Sequence, residues 1–448
     1  MVNEAASRIV VVGGGKMGLP LACMFAHRGA VVAVCDKNVR VVECINDGID
    51  PHNEPEGERY LREAVAAGRL RASTNTTEEV AQSDAVVVLV SAMLTAEKGI
   101  DWKNLASATQ AIAKGLRKGT LVSYETTVPV GGCRQHLLPI LESGGLKGGS
   151  DFHIVFSPER VKSQLVFARL SKTPKVVGGI NAASAAAGEE FYGRWLGAPT
   201  INVGTLEAAE FVKLSGMIYR DVNIALANEL ARFAETAGLN VWPLLDASDT
   251  DGETHLLRPG IGVGGHCTPV YPHFLIRGAT LLGLRLELIE LGRNINDRQP
   301  QQQIERLAQT LGGLAGRHVH ILGLAFRPRV REDAYTTARS LQTVLINSGA
   351  KVTIEDPLYE ASELVARGFV PGCVKDGGVD AVVLNTAHPE FEDVDFLDWR
   401  ARGVKAVLDG RALWCADDVI DAGLIYLGIG IAARAGTAHE TACVEVHT

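Results

Sequence analysis

The stretch GIGVGGHCTPVYPHFL, Gly260 to Leu275, sets Cys267 behind a run of glycines and between proline steps. A thiol that only packs needs no such backbone. Glycines let the chain approach a ligand closely, and a thiolate is the side chain best suited to attack a carbonyl carbon. A second stretch, VVVGGGKMGLPLA, spaces Gly13-x-Gly15-x-x-Gly18 between an apolar run and a helix-length segment. Such glycines permit a tight turn, close approach to a pyrophosphate and close strand–helix packing. Lys16 and Met17 lie in that turn, and the helix N-terminus behind it favours phosphate. Asp36 closes the next apolar run. A carboxylate there accepts ribose hydroxyls and repels a 2′-phosphate, so the expected cofactor is NAD. Lys37 and Arg40 beside it keep NADP open.

A dinucleotide domain together with a loop-borne thiol points to oxidation through sulfur. The thiolate adds to an aldehyde, hydride loss from the thiohemiacetal leaves a thioester, and water releases the acid. That route needs a group to manage protons, donors for the oxyanion, and a carboxylate to direct water.

The residues carrying this chemistry resemble the UDP-glucose/GDP-mannose dehydrogenase family, nearly end to end. GGGKMGLPLA, EPEGERYLREAVAAGRLRAST, TTVPVG, SPERV, YRDVNIALANELA, GVGGHCTPV and LGLAF stand in that family's order. SPERV and GGHC are most similar to the branch that acts on UDP-N-acetylhexosamines. The resemblance implies oxidation of C6 of a nucleotide sugar to a carboxylate with two NAD. It implies Cys267 as nucleophile, Lys213 to polarise an oxygen or hold its proton, Glu159 to direct water, and Thr127 to position water or cofactor. It also implies Arg160, Arg220, Arg258, Gly264, Arg327 and Arg411 around the substrate, with Arg327 where the family usually has lysine. No metal is implied. Read without the family, Glu159 is equally a helix cap, and Lys213 a solvated helix residue.

The chain departs from the pattern at the same positions. Four residues after Lys213, where the family places an asparagine, stands Met217, whose thioether donates no hydrogen bond. Asn223 is too far along the helix to replace it. Four residues after Cys267, where the family has an aspartate, stands Tyr271. Asp251 and Glu253 precede the thiol loop where an arginine is common, with Arg258 as the nearest substitute. In LAFRPRVREDAYTTA, Arg329 and Arg331 replace acids, Ala334 replaces an arginine and Thr337 a proline. Three readings follow: the full two-step oxidation; a diverged oxidoreductase performing one oxidation or a redox-neutral conversion; and a non-catalytic sensor of NAD or a sugar nucleotide.

The apolar runs RIVVVGG, AVVAVCD, DAVVVLV and GTLVSYET alternate with helix-length segments, the pattern of a parallel, doubly wound sheet. From Leu206 one uninterrupted helical pattern runs to Gly238 and predicts a central spine that packs against a second subunit. RHVHILGLAF, KVTIEDP, DAVVLNTA and KAVLDGR then repeat the strand-led pattern. The expected fold class is α/β, with two Rossmann-like doubly wound parallel-sheet domains joined by a long central helix. The expected domains are 1–200 for NAD, 201–310 for the helical, dimerising and cysteine-bearing part, and 311–448 for the nucleotide sugar.

Of 448 residues, 46% are hydrophobic and 21% charged, as in globular proteins of more than one domain. The net charge of −8 without basic runs argues against nucleic acid. No apolar run reaches membrane-spanning length, and the acidic start of the chain does not read as a signal peptide. Eight cysteines without CxxC spacing argue against zinc and against a disulfide framework, so the expected setting is cytoplasmic, while the long helix makes the expected assembly a homodimer.

Overall fold

The computed structural model describes residues 7–161 and 164–435. Two compact units make up the chain: Met1–Gly216 with His273–Arg285, and Met217–Pro272 with Leu286–Thr448.

The first unit is built on ten strands. They are β1 Arg8–Val12, β2 Val31–Cys35, β3 Leu70–Ser73, β4 Ala85–Val88, β5 Met93–Leu94, β6 Ile100–Asp101, β7 Leu121–Tyr124, β8 His153–Phe156, β9 Lys175–Gly179 and β10 Thr200–Thr205. β5 and β6 form a small antiparallel pair, and the rest make one sheet ordered β10-β9-β8-β7-β4-β1-β2-β3. β4 is buried throughout, as are β1 and β2 beyond their first residues, because helices cover both faces; hence their unbroken Val/Ile runs. Ile9, Val11, Phe25, Val34 and Ile45 belong to the core on one of these faces.

The fold is the expected α/β class with Rossmann-like parallel sheets. Within the first sheet one pair runs the other way: β8 and β9 are antiparallel, with Phe156 opposite Gly178. Among the described residues between these strands, one short helix forms, Val166–Arg169. A parallel connection needs a crossover across the sheet, usually helical, whereas this loop stays at one edge and returns. Lys175, the first residue of β9, therefore lies at the carboxyl edge of β7 and β8.

The second unit holds β11 His318–Leu322, β12 Lys351–Glu355, β13 Ala381–Leu384, β14 Ala406–Asp409 and β15 Ile425–Gly428, in the order β12-β11-β13-β14-β15. All neighbours are parallel. Ile321, Val383 and Leu408 pack on one face, and Leu322, Val382, Trp399 and Trp414 on the other.

The long helix is Leu206–Ala237, 32 residues and about 48 Å at 1.5 Å per residue. Thr205 Oγ1 accepts the Ala208 N–H at its start, and Gly238, at φ +73°, ends it. In the second unit it packs closely with the helix Glu287–Leu311: a Cβ on Gly292 would lie 3.3 Å from Val222 Cγ2. A buried polar layer joins the two helices. Arg293 pairs with Asp221, and Asn296 Nδ2 donates to Asp221 Oδ1 at 2.8 Å.

Candidate active site

In open α/β sheets, ligands collect at the carboxyl ends of the strands where strand order reverses. In the first unit that reversal lies between β1 and β4. Gly13 follows β1 with φ +106°, and a Cβ there would lie 3.3 Å from Leu89 C. A Cβ on Gly18, the first residue of helix Gly18–His27, would lie 1.9 Å from the Gly13 carbonyl oxygen, so both glycines are sterically required. A Cβ on Gly15 would meet no protein atom within 4 Å, which leaves that side of the turn open to a phosphate. Lys16 is half-buried beside it, while Met17 packs against the hydrophobic core. Asp36 follows β2; its Oδ2 accepts the Gly14 N–H at 2.8 Å and its Oδ1 the Asn38 N–H at 2.9 Å. The carboxylate thus fixes the glycine turn and keeps lone pairs for ribose hydroxyls. Arg40 is exposed in the first turn of helix Val39–Asn46, and Lys37 Nζ donates to Asn104 Oδ1. These residues fit a bound dinucleotide.

Thr127 and Glu159 sit at the same edge, after β7 and β8. Thr127 is buried. Glu159 begins no helix, so it is not a cap. Its Oε1 accepts the N–H groups of Arg160 and Val161, both at 2.6 Å, and its Oε2 accepts Lys175 Nζ at 3.3 Å. Lys213, half-buried on the long helix, donates Nζ to the main-chain oxygen of Glu159. The first unit therefore brings Lys213 and Glu159 together across 54 positions of sequence. Arg160 is exposed, with its guanidinium on the Pro174 carbonyl.

Behind them lies a buried network that spacing did not reveal. Lys175 Nζ also donates to Glu125 Oε2 at 2.6 Å, and Tyr192 OH donates to Glu125 Oε1 at 2.9 Å. Burial pushes the Glu125 carboxyl up to about 7, with Lys175 opposing the rise. Burial would raise Glu159 as well, but Lys175, the Val161 N–H and Lys213 hold it below the usual carboxylate range. One turn before Lys213, Glu210 is fully buried and accepts the Gly131 N–H at 2.6 Å and the Cys133 N–H at 2.9 Å. It ties the turn after Thr127 to the long helix. The clue to Glu125 was its place next to TTVP; Lys175 and Glu210 carry no local signal.

The second unit places the thiol. Cys267 is half-buried and free, and its carbonyl accepts the Tyr271 N–H at 2.9 Å, leading into helix Tyr271–Leu281. The preceding glycines are explained by protein contacts. Gly265 has φ +94° and donates to the Ala334 carbonyl at 2.9 Å. A Cβ on Gly264 would lie 2.8 Å from Phe326 Cβ and 3.0 Å from the Tyr335 carbonyl oxygen. The thiol loop is thus seated on the loop after β11. His266 Nδ1 contacts the Glu332 carboxylate on that same loop.

The remaining predicted residues divide by task. Arg411, after β14, is committed to the protein: it donates to the Asn385 carbonyl at 2.7 Å and the Gly262 carbonyl at 3.3 Å, and burial pulls it down to about 10. Arg327, after β11, has its guanidinium 5.7 Å from the Phe326 ring centroid. Arg258 is exposed and paired with Asp246, and Arg220 is half-buried on the long helix. Among the departures, Arg331 is tied to Glu363, and Asp251 holds its own turn through the Glu253 and Thr254 N–H groups. Asn223 Nδ2 donates to the His255 carbonyl at 2.7 Å. Met217 is half-buried.

Three family models match the chain in succession: the UDP-glucose/GDP-mannose dehydrogenase family NAD binding domain over 7–196, its central domain over 207–298, and its UDP binding domain over 320–416. The UDP-N-acetyl-D-mannosamine dehydrogenase of Pyrococcus horikoshii is 32% identical over 432 residues, covering 94% of this chain and 99% of the relative. The NDP-N-acetyl-D-galactosaminuronic acid dehydrogenase of Ralstonia nicotianae is 30% identical, covering 91% and 96%. Among solved structures, the P. horikoshii UDP-D-ManNAc dehydrogenase superposes with a TM-score of 0.85 at 31% identity, covering 94% and 99%. A UDP-glucose dehydrogenase from Pyrobaculum islandicum superposes with a TM-score of 0.85 at 26% identity, covering 96% and 99%. The chain belongs to the UDP-glucose/GDP-mannose dehydrogenase family and is an NAD-dependent nucleotide-sugar oxidoreductase.

Proposed function

We propose that this enzyme oxidises C6 of a UDP-N-acetylhexosamine to the carboxylate, with Cys267 as the covalent nucleophile. The observation that carries this reading is Lys213 Nζ bound to the Glu159 main-chain oxygen, which sets a proton-handling cation beside the residue that bears the carboxylate, at the carboxyl edge of the first sheet. Lys213 holds the proton of the C6 oxygen and stabilises its charge. The Cys267 thiolate adds to the aldehyde carbon, forming a C–S bond and leaving the oxyanion. Glu159 takes a proton from the water that attacks the thioester, and the C–S bond breaks to regenerate the thiolate. Bound NAD supplies the hydride acceptor for each of the two oxidations. Thr127 orders water or cofactor, and Arg160, Arg220, Arg258 and Arg327 bind the nucleotide sugar, with Arg411 shaping its side of the second unit through the Asn385 and Gly262 carbonyls.

The division of labour follows the chain: 1–200 for NAD, 201–310 for the thiol loop and dimerisation, 311–448 for the nucleotide. The long helix exposes Phe211 (52%), Tyr219 (57%), Leu226 (48%) and Phe233 (68%), an apolar stripe suited to a second copy of the chain. Light scattering after size exclusion tests the homodimer, and a monomer rejects it. No described helix is long and apolar enough to cross a membrane. Seven described cysteines are free thiols, which suits a cytoplasmic setting.

A second reading rests on Met217 and Tyr271. Without the donor one turn beyond Lys213, the enzyme performs one oxidation, or an internally balanced oxidation and reduction. NADH formed per sugar consumed, with NAD and a panel of UDP-, GDP- and TDP-sugars, separates the two. Two NADH and a mass gain of about 14 Da, from CH2OH to COOH, support the first reading; one or none supports the second. Binding without turnover across the panel rejects both.

A further inference from the structure

Glu159 is held by a cluster whose charges do not balance internally. One ammonium, Lys175, bridges two carboxylates, Glu125 at 2.6 Å and Glu159 at 3.3 Å. All three side chains are more than nine-tenths buried. Lys175 Nζ also reaches the Ser157 carbonyl at 3.4 Å and lies 4.8 Å from the Tyr192 ring centroid. Tyr192 OH gives its hydrogen to Glu125, so the contact with Ser123 Oγ at 2.6 Å runs from the serine to the tyrosine. Every element around the cluster contributes: Glu125 after β7, Ser157 and Glu159 after β8, Lys175 on β9, Tyr192 on helix Ala182–Trp195, and Lys213 on the long helix. Arg160 faces away, onto Pro174.

Two buried carboxylates sharing one cation do not both stay ionised cheaply, so the site holds a proton readily on one of them. The partners differ. Glu159 is stabilised as an anion by two main-chain N–H groups, Lys175 and the nearby Lys213. Glu125 has Lys175 and a neutral phenol. We propose that Lys175 is a positioning residue that keeps Glu159 ionised and aimed for thioester hydrolysis, with Glu125 as the member that holds the proton. The raised titration of Glu125, to about 7, and the lowered titration of Glu159 agree with that assignment. The antiparallel turn from β8 to β9 makes the arrangement possible, because it brings the start of β9 to the catalytic edge.

This inference rests on the proposed role of Glu159 in hydrolysis, and its test separates the two claims. Pre-steady-state NADH formation is followed with UDP-N-acetyl-D-mannosamine and NAD for the wild type, Lys175→Met, Lys175→Arg and Glu125→Gln. NAD binding to each variant confirms an intact first unit. Lys175→Met should release close to two NADH per site in a burst, then turn over about tenfold or more slowly, with the acyl adduct on Cys267 visible by intact mass. The acid limb of that slow phase should move up by about one pH unit. Glu125→Gln, which replaces a protonated, neutral carboxyl with a neutral amide, should leave the limb where the wild type has it. Lys175→Arg should restore most of the rate. A wild type that forms no NADH overturns the dehydrogenase reading and this inference with it. An active wild type whose Lys175→Met variant slows without a burst and with an unmoved limb, or whose Glu125→Gln limb moves down as the loss of an anion requires, overturns the inference alone. If Lys175→Met does not fold, Glu125→Gln decides by itself: an unmoved limb supports a protonated Glu125, and a downward shift overturns the assignment.

Discussion

Glu210→Gln isolates a buried titration that links the fold to pH. The Glu210 carboxyl is fully buried and accepts two main-chain N–H groups, from Gly131 and Cys133. Burial lifts it from 4.5 to about 7, against the pull of those N–H groups. Between these pH values the native protein keeps a proton that the unfolded chain has released. Stability from this group is therefore complete below about pH 4.5 and is lost as pH rises through about 7. At about 1.4 kcal/mol per pH unit, the whole window amounts to about 3 kcal/mol. A glutamine does not titrate, and its single oxygen matches one of the two donors, leaving the other buried and unmatched at about 1–3 kcal/mol. Urea unfolding of both proteins from pH 4.5 to 8.5 should show Glu210→Gln the weaker at low pH. The wild type should lose about 3 kcal/mol relative to the variant toward pH 8, which closes that gap or reverses its sign. Glu125 titrates in the same range but is common to both proteins, so it cancels in the difference. Parallel stability curves, with a gap independent of pH, would refute the assignment of a raised titration to Glu210.

Other outcomes follow from contacts already described. Gly18→Ala, whose Cβ would meet the Gly13 carbonyl oxygen at 1.9 Å, should lower both the melting temperature and NAD affinity. Gly15→Ala, with no protein atom within 4 Å, should leave melting of the ligand-free protein unchanged and weaken NAD alone, as thermal scans with and without NAD would show. Met217→Asn restores a donor one turn beyond Lys213 and should raise kcat by up to about a hundredfold, the scale of one oxyanion donor. An unchanged or lower kcat in steady-state assays would mean that this position is not the missing contact. Arg293→Met strands the buried Asp221 charge and should cost about 3–5 kcal/mol in urea unfolding, with Asp221→Asn in the same chain recovering most of it.

Much of the frame was legible from residue order. β1, β2, β4, β7, β11, β13 and β14 announce themselves as mostly apolar runs because strands covered on both faces need apolar side chains at nearly every position. The glycine turn, Asp36 and the thiol loop were legible because backbone geometry restricts which residues stand there. β3, β8, β9, β10 and β15 were harder to see. β8 and β9 begin with His153 and Lys175, and β10 is a largely exposed edge strand, so none shows a clean apolar pattern.

The sequence by itself determined the family, the cofactor turn, the thiol and the two strand-led halves, since each is written in local spacing. Tertiary structure alone decided what those local features serve. It turned the glycines before Cys267 into a seat on Phe326 and Tyr335, and Arg411 into a clamp on two carbonyls. It also joined Glu125, Glu159 and Lys175, which lie far apart in the chain, around a single ammonium. The physical reason is the reversal between β8 and β9. Strand direction decides which end of β9 meets the carboxyl edge of β8, and it is set by the path of the chain between the two strands rather than by any residue's own preference.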